Sequence, residues 1–340
     1  MNTSKVVEPS RRVFLAQASA VGGAAVLGLS RSVRAEPPLE TKKIRVMTDP
    51  TICLAPQLIS EDLLRLEGFS EIEYVSAPDD PTLADSVAAG KGDITADTAA
   101  SLILLIDAGQ PLVLLSGVHA GCFALFANKQ IQAIRDLKGR RLGIYAKRSE
   151  DHLQLSTMLA YVGIDPTKDV HWVEIPSFED EAKAFVDGKI DAFLAFPPHP
   201  QRLRAQKIEH VIVDTTRDAP WSHYFCCMFA ANRDFARAHP IATKRALRAL
   251  LKATDICSQE PEHAARYLVA KGHEPSYDVA LQVLKEVNYT PWRQFNPEDT
   301  LRFYGLRLHD LGVIKSTPQK LIAQGTDWRF LNELKKELKA

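Results

Sequence analysis

Most of this chain lacks an excess of positive charge. Overall it has 42 Lys and Arg against 42 Asp and Glu, but Lys5, Arg11, Arg12, Arg31 and Arg34 all precede residue 36, opposed only by Glu8. The chain from residue 36 onward is therefore mildly acidic, with 37 basic and 41 acidic residues. Binding to nucleic acid or to an anionic membrane surface is driven by clustered cations, so neither is expected as the main partner. Apolar runs long enough to cross a bilayer are also missing after the N-terminal segment. From residue 36 the protein reads as soluble.

The usual catalytic signatures are absent. No Gly-x-Ser-x-Gly, P-loop, Rossmann fingerprint or His-Glu-x-x-His motif occurs. There is no Cys-x-x-Cys and no His/Cys spacing typical of zinc, so no metal or other cofactor is expected. The cysteines number five, Cys53, Cys122, Cys226, Cys227 and Cys257. Adjacent Cys226 and Cys227 are expected to face opposite sides of a strand, and buried small hydrophobes are the favoured reading for most of the set. No repeat of solenoid length is present.

What the chain does have begins at its N-terminus. Ser10-Arg11-Arg12-Val13-Phe14-Leu15, an uncharged small and apolar run from Ala16 to Ser30, and Val33-Arg34-Ala35 resemble a twin-arginine export signal. The run is short and interrupted by Gly22, Gly23 and Gly28, which disfavours a membrane anchor. The mature protein is expected to start near Glu36 and to be periplasmic.

About 305 residues remain, enough for two domains. Alternating patterns predict strands at 44–47, 71–75, 93–96, 112–116, 122–127, 141–145, 170–175, 192–196, 210–213 and 224–230. Helices are expected at 54–66, 82–89, 99–108, 151–161 and 179–186, with a helical tail after Asp234. This βαβ order implies largely parallel sheets covered by helices. The helical tail is expected to return to the first unit. Lobe 1 would then be discontinuous, 36–122 with 228–340, and lobe 2 would be the insert 123–227, with residues 1–35 as the signal. Two passages, Gly90-Lys91-Gly92-Asp93 and Gly188-Lys189-Ile190-Asp191, each end a helix at glycine and enter a strand through an acidic turn. One per half suggests two halves of like topology.

These turns, together with Asp136-Leu137-Lys138-Gly139, Asp191-Ala192-Phe193 before a Pro-rich corner, and Asn232-Arg233-Asp234-Phe235 with His239-Pro240, resemble the solute-binding proteins of nitrate, sulfonate and taurine ABC importers. That superfamily includes binding proteins for thiamine-pyrimidine precursors. The resemblance covers about residues 44–290 by the span of these motifs. It implies an α/β protein of the type II periplasmic binding fold, two lobes joined by two hinge strands, with a small molecule held between them. The implied partner is an inner-membrane permease, with its ATPase acting indirectly. The chain is expected to be a monomer and not an enzyme. Two alternatives remain open: a ligand-sensing receptor, and a thiamine-pyrimidine-synthase-like enzyme, of whose cysteine-rich run Cys226-Cys227-Met228-Phe229 is a partial echo.

Ligands of open α/β sheets sit where strand ends lead into helix N-termini. Candidates there are Thr51, for its hydroxyl, and Asp97 with Thr98, where a carboxylate favours a cationic or hydrogen-donating ligand. Ser149, with Lys147 and His152 beside it, opens a helix where the resemblance places an anionic group, although Glu150 and Asp151 already complement that helix end. Phe196 and His199 form an aromatic wall in the Pro-rich corner. His119 and Tyr224 complete the set at the two crossover passages.

Overall fold

The computed structural model describes residues 36–77, 80–208 and 210–339, so the expected export signal lies outside the described residues. The fold occupies a single unit beginning at Leu39. Its ten strands are β1 (Lys43–Met47), β2 (Glu71–Val75), β3 (Ile94–Thr98), β4 (Leu112–Ala120), β5 (Ala124–Ala127), β6 (Arg141–Ile144), β7 (His171–Glu174), β8 (Ala192–Ala195), β9 (Val211–Asp214) and β10 (Phe225–Asn232). They form two five-stranded sheets, ordered β2-β1-β3-β10-β4 and β7-β6-β8-β5-β9. In each sheet the first strand of the half pairs in parallel with the next two. In each, the third strand then pairs antiparallel with a strand that carries the chain across from the other sheet. Strands β3, β5 and β8 inside the sheets, and β4 at the edge of the first, are buried at every position, as expected where helices cover both faces.

The chain changes sheets twice. Between Ala120 and Ala124 it leaves the first sheet, and between Asp214 and Phe225 it returns. The two passages are bonded to each other. The Thr215 hydroxyl accepts from the backbone N–H groups of Cys122 (3.0 Å) and Phe123 (2.8 Å), and Thr215 N–H donates to Phe123 O at 2.9 Å.

Both Gly-Lys-x-Asp turns do the same job. Arg45 on β1 donates to Asp93 (Nη2 to Oδ1, 2.6 Å) and to Gly90 O (2.8 Å), while its backbone N–H donates to Asp93 at 2.7 Å. Arg141 on β6 repeats this with Asp191 (2.9 Å) and Gly188 O (2.8 Å). The acidic residue thus ties the incoming strand to its neighbour. Asp93 is the more buried of the two, its side chain 6% exposed against 15% for Asp191. Asp93→Ala is therefore expected to lower stability by about 2–3 kcal/mol, and Asp191→Ala by less, in urea denaturation. Equal losses would show that burial does not grade these charge-assisted bonds.

The helix expected over 54–66 is broken into a 3-10 turn at Ile52–Leu54 and short helices at Ala55–Leu58 and Glu61–Leu66. At the break the Ser60 hydroxyl donates to Gln57 O at 2.8 Å, and buried Gln57 uses Oε1 to accept Ala96 N–H at 2.7 Å. The helix His199–Ala205 was not expected, and Pro318–Gly325 falls within the expected helical tail. Each has a proline in its first turn, where no backbone donor is required, so Pro200 opens a helix instead of closing a corner. In the helical tail, Pro240–Gln259 packs on the helices after β1, and Pro297–Asp310 packs on both Ala99–Asp107 and Glu150–Tyr161. Arg202 and Glu274 add an ion pair at 2.8 Å between His199–Ala205 and the tail. No helix among the described residues is long and apolar enough to cross a membrane.

Candidate functional site

The carboxyl ends of the strands in both sheets face a shared cavity of about 360 Å³. From the first half come the loops after β1 (Thr48 to Thr51) and β2 (Ser76, Ala77 and Asp80 to Leu83). From the second come those after β6 (Tyr145, Ser149 to Asp151), β7 (Ile175, Ser177, Phe178) and β8 (Phe196), with Glu181 from the helix Phe178–Val186. A narrow recess continues inward past Asp49, Thr51, Glu150 and Phe196 to Asp97, Thr98, Cys53, Cys122 and Cys227. The sign of the charge is one-sided. Asp49, Asp80, Glu150, Asp151 and Glu181 line the main cavity, and no Lys, Arg or His is among the described lining residues.

Burial sets the protonation of these acids. Glu181 is 4% exposed, its Oε1 has no hydrogen-bond partner, and burial together with the Asp151 charge pushes its carboxyl up to about 9. It is a neutral donor at physiological pH. Asp97 is pushed up to about 6 by burial, opposed by hydrogen bonds from Ala84 N–H (2.8 Å) and Thr98 N–H (2.6 Å) and from Glu150. Burial and the Asp97 charge hold Glu150 well above the usual carboxylate range. Two carboxyls this close share a proton across the cleft, one on each half.

The cavity brings together Thr51, Ser149 and Phe196, and the recess adds Asp97 and Thr98. The Thr51 side chain makes no capping bond to its helix, which leaves its hydroxyl for a ligand. Thr98 caps Ala99–Asp107, accepting from Ser101 N–H. Phe196 stands edge-on to Phe123 with ring centroids 6.0 Å apart.

The other candidates lie elsewhere. Lys147 is exposed and pairs with Glu174 at 3.7 Å. His152 packs edge-on against Trp172, and its Nδ1 accepts Arg148 N–H at 3.0 Å. His199 stacks on Phe178 at 3.6 Å, with burial and Arg202 holding it down to about 4, so it supports the wall without lining the cavity. Tyr224 stacks on Phe303 at 3.9 Å. His119 is fully buried among cysteines.

The anionic group implied at Ser149 also meets an obstacle. The Ser149 hydroxyl bonds Asp151, whose other oxygen accepts Tyr145 N–H at 2.7 Å. This helix N-terminus therefore already holds a carboxylate. Asp49, Ser177, Phe178 and Glu181 were missed. The strand-end rule applies equally to the loops after β2 and β7, where Thr82 and Ser177 cap helices, and would have found Ser177 and Phe178, but Glu181 lies within the helix that follows.

Two α/β halves closed around a cleft, with the chain crossing twice between them, define the type II periplasmic binding protein fold. The chain belongs to the NMT1/THI5 like family, whose model matches residues 70–264. Over 125 residues it is 27% identical to the bicarbonate-binding protein CmpA of Synechococcus elongatus, a match covering 37% of this chain. The chain spans 27% of the length of that curated relative. Among solved structures, the periplasmic nitrate-binding protein NrtA of Synechocystis PCC 6803 superposes with a TM-score of 0.73 at 14% identity, covering 89% of this chain and 90% of that one. The alkanesulfonate-binding protein SsuA of Xanthomonas axonopodis pv. citri, bound to MOPS, gives 0.68 at 16% identity, covering 86% of this chain and 100% of the other.

Proposed function

We propose that this protein is the exported solute-binding component of an ABC importer, carried across the membrane by the twin-arginine signal and delivering a small organic solute to a permease and its ATPase. We further propose that the solute bears a cationic or hydrogen-donating group and an apolar or aromatic face. The observation that carries this is the cavity itself, whose charged lining is wholly acidic while Phe178, Phe196, Ile175, Leu194 and Leu83 supply an apolar wall. CmpA, NrtA and SsuA are named for anions. An anion placed here would meet the Asp49 and Asp151 carboxylates with no Lys, Arg or His among the described lining residues to oppose them. Closure follows from contacts on both halves, which a solute can make together only in the closed form.

The test is a thermal-shift screen of the chain from Glu36 against organic amines and pyrimidine-like bases beside nitrate, bicarbonate and sulfonates. A ligand that binds only the folded state raises Tm by mass action. The amines or bases are expected to shift Tm, and the anions are not. Phe196→Ala is expected to weaken the active ligand by about tenfold or more in calorimetry, and Asp49→Asn to weaken it similarly. Selective binding of sulfonate or nitrate would overturn the charge assignment.

A further inference from the structure

Below the cavity lies a cluster that neither the fold nor the solute requires. The ligating atoms of His119, Cys122, Cys226 and Cys227 lie within 4.8 Å of one another, and all four residues are buried. The Cys122 and Cys226 sulfurs are 3.1 Å apart, those of Cys226 and Cys227 are 4.0 Å apart, and the Cys53 thiol adjoins Cys122, Cys227 and His119. The sequence expectation that Cys226 and Cys227 face opposite sides fails for a geometric reason. β10 departs from regular register against β4 between Phe225 and Cys227 and again between Cys227 and Met228. An irregularity of this kind re-aims side chains, and both thiols reach one cluster.

His119 is fully buried, and its Nδ1 is 3.1 Å from Gly121 O. A carbonyl can only accept, so Nδ1 carries the proton and Nε2 keeps its lone pair. Nε2 is buried without a hydrogen-bond partner. A carbonyl that holds one ring nitrogen in this way fixes the imidazole so that the other can face a metal ion. We propose that His119, Cys122, Cys226 and Cys227 form a buried tetrahedral site for a thiophilic d10 cation, zinc(II) or copper(I).

Simpler readings leave something over. A Cys122–Cys226 disulfide would account for two sulfurs but not for Cys227 or the orphaned His119 Nε2. Inert buried thiols look like Cys257, whose thiol is raised by burial alone, with no neighbouring group contributing. In the cluster, by contrast, Cys226 has the Cys122 sulfur 3.1 Å and the Cys227 sulfur 4.0 Å away, and the His119 ring shares the same few ångströms. The recess supplies an entry path, since Cys122 and Cys227 line it from the cleft side. His119 and Cys122 stand at the end of β4 and in the passage that leaves it, and Cys226 and Cys227 open β10 where the second passage ends, so a bound ion ties the two crossings together.

The test uses the whole mature chain, reduced and stripped of metal by a chelator under anaerobic conditions. Titration with cobalt(II) is expected to give the thiolate charge-transfer band and the intense visible bands of a tetrahedral sulfur and nitrogen site, saturating at about one cobalt per chain. Zinc(II) or copper(I) should bleach them. Native mass spectrometry of protein purified without chelator then tells which ion it takes. His119→Ala and Cys227→Ser are expected to weaken cobalt binding at least tenfold, while Cys257→Ala and Phe196→Ala leave the spectrum unchanged. X-ray absorption on the unmutated zinc-loaded chain, independent of any variant's folding, should count three sulfurs and one nitrogen. An absence of charge-transfer bands with all thiols reduced, an octahedral oxygen-rich spectrum, or cobalt binding unaffected in folded His119→Ala and Cys227→Ser would each overturn the site.

Discussion

Gly121→Ala is expected to cost about 3–5 kcal/mol of stability, more than alanine at any other described glycine. Gly121 sits where the chain leaves the first sheet, at φ +57°, and a Cβ there would lie 1.9 Å from Thr215 O and 2.3 Å from Thr215 C. Both atoms are backbone, and they belong to the other passage, which is itself bonded to Cys122 and Phe123. Nothing flexible can give way. Gly139→Ala separates the two contributions, because Gly139 also has positive φ, +76°, yet nothing lies within 4 Å of its Cβ position. It should lose only the conformational part, about 1 kcal/mol. Urea midpoints for the two variants check this, and similar losses would show that the passages are not in close contact.

Glu181→Gln is expected to stabilise the protein, and to do so more as pH rises. The folded-state carboxyl is raised to about 9 from an ordinary 4.5. Between those values the native protein holds a proton that the unfolded chain has released, so stability falls as pH increases across that window. Below about pH 4.5 both states are protonated and the penalty vanishes. Glutamine keeps the shape and cannot ionise. Its gain should be about 2–4 kcal/mol at pH 8, shrinking towards nothing near pH 5. Thermal melts of both proteins at several pH values measure it, and a pH-independent difference would show that Glu181 is hydrated in the folded protein.

Much of the fold was legible because most of its strands carry unbroken apolar runs bounded by turn residues. Glu71–Val75 and Ala192–Ala195 stand within a residue of where alternation and proline placed them. The Gly-Lys-x-Asp turns were legible as repeats, although their arginine partners, 45–50 residues away in sequence, were not. The helix at 54–66 misled because its apolar spacing is helical throughout, while the break comes from Ser60 and a distant demand on Gln57. The site was legible in part. Thr51, Asp97 and Phe196 follow from the strand-end rule, whereas Glu181 lies inside an amphipathic helix whose other acids face water. The cysteine cluster was hidden most deeply. Its two pairs come from stretches 104 residues apart, and the irregularity in β10 that turns Cys226 and Cys227 to one side leaves no mark in composition.

The double crossing also has a consequence for the order in which the protein can be assembled. β10 lies between β3 and β4 and pairs with both, so residues more than a hundred positions apart must meet before the first sheet closes. The second sheet draws all five of its strands from Ala124–Asp214. As the chain emerges from the ribosome, that sheet has every strand it needs while the first still lacks the strand that joins β3 to β4. Until Phe225–Asn232 arrives, β3 and β4 present apolar edges, which is the slow and aggregation-exposed regime of non-local pairing. The N-terminal half is made first, and it is completed last.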